Sequence, residues 1–166
     1  MQRKFFFRIQ DWKKNLVLFC MSSKKHKSYL STSFLNLDVV AIHSEMSPHR
    51  LAWCLDDTFS SRFVCEAHPF EVTLSSNQVS FHVEFHFEGN ETCSPMSLLE
   101  NKGSSQALYT ARPTPDYWLI VQESESMGGL SEWLEQLKRI NNVQTAYLFP
   151  SENHSKLTWL HHLRHL

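Results

Sequence analysis

The hydrophobic pattern of this chain changes period several times, and each change marks an element. From Phe34 to His43, FLNLDVVAIH, apolar and polar residues partly alternate, which predicts a first strand with one well-buried face. Ser47 then offers a helix cap, and Pro48 sits at the first helical position, where its missing N–H costs nothing. Leu51, Ala52, Leu55 and Phe59 recur at helical spacing, with Trp53 and Cys54 widening the stripe and Asp56 and Asp57 facing the other way. Residues 62–74 read as extended, with Pro69 marking an edge position, a bulge or a break between two short strands. Ser75, Ser76 and Asn77 make a turn.

The cleanest alternation comes next. Phe81, Val83, Phe85 and Phe87 fall on one side, and His82, Glu84, His86 and Glu88 on the other. Such a period of two predicts an antiparallel strand packed on one face, its polar row in water. Met96–Glu100 is a short apolar segment closed by the turn signal Asn101, Lys102, Gly103, and residues 106–110 are placed to pair back across that turn.

Pro113 and Pro115 then hold the backbone extended up to Asp116. Tyr117 to Val121 is an unbroken apolar run, the signature of a central strand covered on both faces. After a loop at 124–129, Leu130, Trp133, Leu134, Leu137 and Ile140 form a helical stripe, with Lys138 and Arg139 in the last turn, where the helix dipole favours cations. Val143–Phe149 returns as a strand stopped by Pro150, so that run, helix and strand read as a β-α-β unit. Leu157, Leu160 and Leu163, with Trp159 beside them, predict a short amphipathic helix within 155–166. The order of elements predicts an α+β fold: a mostly antiparallel sheet of about six strands, two main helices on one face and a short C-terminal helix.

Composition adds the class. A chain of 166 residues with 42% hydrophobic content, 13% aromatic content and only 4 glycines fits one packed domain. The charge is divided: eight of the 16 basic residues precede position 28, where Asp11 is the only acid. We therefore expect residues 1–27 to be a basic extension, disordered or upstream of a true start at Met21, and residues 28–166 to be a single domain. The extension lacks the Gly or Ser spacing and base-stacking pattern of a nucleic-acid arm, and the acidic remainder repels phosphate; no nucleic acid is expected. Leu16–Met21 is too short to span a bilayer, so no membrane is expected. The cysteines at 20, 54, 65 and 93 form no Cys-x-x-Cys pair and read as reduced thiols.

Chemical motifs are sparse. His82, Glu84 and His86 share one strand face and are the candidate metal ligands; His161 and His165, four apart, form a weaker pair without the glutamate of a zinc-protease helix. No serine stands in a nucleophile elbow or a Ser-x-x-Lys setting, no glycine-rich phosphate loop is present, and neither a catalytic residue nor a cofactor is assigned. Asp116 and Tyr117 are the candidate binding residues. Against such a role, Asp116 can instead cap its own proline turn.

Four segments, HRLAWCLDDTF (49–59), SLLENKG (97–103), PDYWLIVQE (115–123) and LKRINNVQTAYLFP (137–150), resemble in order and spacing the bacterial IPExxxVDY family of uncharacterised proteins. At the motif that names the family, Asp116 and Tyr117 agree, whereas Tyr109, Thr110, Ala111 and Pro115 stand where the family has Ile, Pro, Glu and Val. The resemblance implies a cytoplasmic bacterial protein and no particular reaction.

The expected function is a non-enzymatic binding or protein-interaction module, with a protein partner or a second copy as ligand and Trp53, Trp118 and Trp159 as candidate surface aromatics. The alternative is a small-ligand sensor or an enzyme that pairs Asp116 with His82 or His86. Self-association through strand 81–88 is a third route.

Overall fold

A computed structural model describes residues 37–73, 78–91, 93–122 and 130–163, all within one compact unit. The basic extension, the Met21 start, the turn at 75–77, the loop at 124–129 and His165 lie outside the described residues. Among the described residues, eight strands and two α-helices follow in order: β1 (Leu37–Ser44), α1 (Pro48–Phe59), β2 (Val64–Cys65), β3 (Phe70–Thr73), β4 (Val79–His82), β5 (Glu84–Phe87), β6 (Met96–Glu100), β7 (Tyr117–Gln122), α2 (Leu130–Arg139) and β8 (Val143–Leu148). Two 3-10 helices, Ser151–Lys156 and Thr158–His162, close the described chain.

Six strands form one antiparallel sheet in the order β2-β5-β6-β7-β1-β8, and β3 and β4 form a separate hairpin. The α+β reading holds. The apolar run at 117–121 is central as expected, flanked by β6 and β1 and buried throughout, because both faces of the sheet are covered. β1 is antiparallel to both β7 and β8, so β7, α2 and β8 make a β-α-β unit with β1 inserted between its two parallel strands.

Both helices lie on one face, as their stripes require. Leu51, Ala52 and Leu55 of α1 and Trp133 and Leu137 of α2 pack with Val40, Ile42, Leu98, Leu119 and Val121. A fully buried leucine contributes roughly 1.5–3 kcal/mol by leaving water, which outweighs the weak intrinsic propensity of helices this short. The Phe59 and Trp133 rings stack at 4.5 Å and join the two helices. Ser47 occupies the cap position of α1, but its side chain makes no capping bond; the first turn relies on Pro48. Asp56 is half-buried, not turned to solvent: Oδ1 accepts from the Phe63 N–H (2.8 Å) and the Ser61 hydroxyl (3.1 Å), fixing the chain that leaves α1.

The second face carries Val39, Leu99, Trp118 and Ile120, covered by Phe70 and Val72 of the hairpin and by Leu157, Trp159 and Leu160. Here the structure departs from the pattern. The tail folds as two 3-10 turns rather than one helix, and its apolar residues still reach the core. Trp118 and Trp159, expected at the surface, are fully buried against each other. Pro69 separates two short strands, one of the three outcomes its position allowed.

The alternating strand at 81–88 is broken at Val83. Its first half joins the hairpin, where Phe81 points outward and His82 inward; its second half joins the main sheet, where Phe85 and Phe87 face the helices and Glu84 is buried on the opposite face. Of the polar row, His82 and Glu84 are therefore buried and His86 half-buried, and only Glu88 is exposed as expected. Self-association along this segment is also closed off, because β5 is paired on both edges and Ser104 and Ser105 bond the outer edge of β4.

Candidate functional site

The connection from β6 to β7 delivers Glu100, Lys102, Asp116 and Tyr117 to one end of the sheet, beside the end of β1 and the start of α1. Asn101 makes this possible. It is fully buried, and its amide is satisfied four times: Nδ2 donates to the Tyr109 and Pro115 carbonyls (3.0 and 2.8 Å), and Oδ1 accepts from the Tyr109 N–H and from Trp118 Nε1 (both 3.0 Å). The loop is thereby stapled to the central strand. Residues 106–110 return as expected only as far as a Lys102–Ala107 bridge and a bond from the Leu108 N–H to the Asn101 carbonyl.

Asp116 does not cap its own turn. Its Oδ2 accepts from the Ser44 N–H (3.0 Å), 72 residues away, and Oδ1 lies 3.5 Å from Lys102 Nζ. Ser44 in turn donates its hydroxyl to the Asn142 carbonyl (2.8 Å) and accepts from the Met46 N–H (3.2 Å). Tyr117 is buried, and its hydroxyl donates to the Met46 carbonyl. Burial pushes the Tyr117 phenol well above its ordinary range, and the neighbouring Glu100 and Asp116 carboxylates add to the effect. Burial likewise raises the Glu100 carboxyl, with Lys102 opposing it.

These groups border an open cleft of about 420 Å³ lined by Met46, Ser47, Glu100, Lys102, Asp116 and Tyr117 among others. A second cleft of about 450 Å³ adjoins it across Glu45, Met46 and Ser47 and reaches Arg50 and Asn142. Charge of both signs lines the pair. Such a surface suits recognition of polar groups better than proton transfer, since the phenol and the aspartate are both engaged in holding backbone.

The candidate histidines go elsewhere. His82 is buried, its Nδ1 bonded to the Glu100 carbonyl (3.0 Å) and its ring wedged against Gly103, where an added Cβ would come within 2.4 Å of the imidazole. Burial lowers its pKa, partly offset by that carbonyl, so the ring is neutral and Nδ1 is the donor. His86 Nδ1 lies 2.5 Å from Glu66. His86 pairs across β6 with the level of Ile120, four residues along β7 from Asp116, or roughly 13 Å at strand rise. The carboxylate contacts of Asp116 are with Ser44 and Lys102, not with either histidine. Among the described residues, no cluster of three or more His, Cys, Asp or Glu side chains is placed to hold a metal ion. His82 sits in the hairpin and Glu84 and His86 in the main sheet. His161 is exposed on the last 3-10 helix.

Ser44, Glu100, Asn101 and Lys102 escaped the sequence reading as site residues. The turn signal at 101–103 was the one trace of them. Comparisons with protein-family models, curated proteins and solved structures give no match for this chain. No described helix is long and apolar enough to cross a membrane.

Proposed function

We propose that this protein is a non-enzymatic interaction module of the bacterial cytoplasm, akin to the IPExxxVDY proteins it resembles. One observation carries the reading: Trp53 is 66% exposed on α1, whereas Trp118, Trp133 and Trp159 are buried. His49, Arg50 and Asp57 surround it on the same exposed side of the helix. An exposed tryptophan ringed by polar groups has the composition of an interface hot spot, and tryptophan and arginine are the residues that most often anchor one. The commitment of Asp116 and Tyr117 to backbone bonds supports a role without chemistry.

The test is affinity capture from native lysate with the full chain and with Trp53→Ala, alongside light scattering. The reading expects a partner, or a second copy, that the variant loses while its melting temperature stays within a degree or so. Recovery of the bait alone, as a monomer, overturns it. A second reading, a small-ligand sensor, rests on the paired clefts beside α1. It expects Lys102→Ala to abolish a ligand-induced rise in melting temperature, and screening a panel of small polar metabolites by thermal shift checks it.

A further inference from the structure

α1 sets Leu51, Ala52 and Leu55 into the core. At about 100° per residue, Trp53 falls roughly 160° round the helix from both Leu51 and Leu55, at the crest of the outer face, with His49, Arg50 and Asp57 exposed beside it. Arg50 and Asp57 flank the crest on the same side, about 60° and 40° from Trp53, one a turn before it and the other a turn after. They stand roughly 10 Å apart along the axis, at about 1.5 Å per residue, too far to pair with each other. Among the described residues neither has an ion-pair or hydrogen-bond partner. The other side of the crest is committed: His49 meets the Phe85 ring at 5.1 Å, and Asp56 accepts from the Phe63 N–H at 2.8 Å.

Resting on the interaction-module reading, we infer that the partner at Trp53 is a second copy of this chain, bound α1 to α1 in antiparallel fashion about a two-fold axis that passes between the two Trp53 side chains. Such an axis reverses the direction of the helix and keeps each side of the crest on its own side. Arg50 of one copy therefore meets the level of Asp57 of the other, within about 1.5 Å along the axis, and the same pair forms again at the opposite end. At the centre the two indoles cover each other, and hot-spot residues tend to pair with hot spots across an interface.

Charge decides between a second copy and an unrelated protein. An isologous contact needs a patch that is its own complement. Trp53, with one free cation a turn before it and one free anion a turn after it on the same side, meets that condition. A partner surface of a single sign matches one of the two charges and opposes the other. Contact through one three-turn helix per copy stays below the roughly 1,200 Å² of a stable interface, so the dimer is weak and depends on concentration.

Sedimentation equilibrium of the full chain at low salt tests the proposal. The expected result is a dimer whose dissociation constant rises about tenfold or more in Trp53→Ala, and about threefold or more in Arg50→Asp and in Asp57→Arg taken singly. Mixing the Arg50→Asp and Asp57→Arg chains restores association, because the two reversals oppose each other at both ends of the contact; loss of fold is not rescued by mixing. All three positions are exposed, so each variant keeps its melting temperature within about a degree. A chain that stays single up to about 1 mM, or a dimer indifferent to Trp53→Ala and to the charge reversals, overturns the inference. The interaction-module reading fails separately, when capture from lysate through Trp53 also returns the bait alone.

Discussion

At the level of single residues, Asn101 and His82 hold more of this protein than their sequence context announces. Asn101 is an asparagine in an Asn-Lys-Gly turn, and periodicity has no way to say that its amide meets four partners, three of them on the returning loop and one on Trp118. Asn101→Ala leaves the Trp118 N–H and three backbone groups without that partner. We expect a loss of more than about 3 kcal/mol, read from urea unfolding, whereas Lys102→Ala at the exposed neighbour stays within about 0.5 kcal/mol. His82 makes stability depend on pH. Its pKa in the folded chain lies below the ordinary 6.5, so the unfolded chain binds the proton more tightly. Its contribution is complete above the unfolded value and is lost as pH falls through it toward the folded value. Wild-type stability should fall as pH drops below about 6.5, and His82→Gln should show a shallower fall; parallel curves would remove His82 from the explanation.

At the level of elements, what was legible follows from how many alternatives each pattern excludes. The stripes of α1 and α2 each admit one face, and the run at 117–121 admits only a strand buried on both sides; all three are as expected. The alternation at 81–88 was ambiguous in a way that its regularity concealed. A period of two says that two faces differ, and it cannot say which sheet each half joins or what covers the polar face. Here His82 turns inward against Gly103 and the Glu100 carbonyl while Glu84 is buried in the main sheet. The tail shows the same limit, since Leu157, Trp159 and Leu160 reach the core from 3-10 turns. α2 offers the element-scale prediction. Leu137 is fully buried in the helix face of the core, and Leu137→Ala should cost about 2–5 kcal/mol, more than any change at Leu134, which is partly exposed. Equal effects at both sites would mean that α2 sits differently on β8.

For the whole molecule, the sequence showed the class of fold and left the site obscure, because the site is made where three distant segments meet. Ser44, Met46, Lys102 and Asp116 become neighbours only when β1, β6 and β7 are aligned. That alignment spends Asp116 and Tyr117 on backbone, which turns attention from chemistry to surface, and on the surface Trp53 stands out. The most direct test is a photo-crosslinking side chain placed at position 53 in the producing cells, with a matched probe at the exposed Lys156 as control. The interaction account predicts a discrete covalent adduct from position 53 and none from position 156. No adduct at position 53, from a chain that folds and sediments as a monomer, would contradict it.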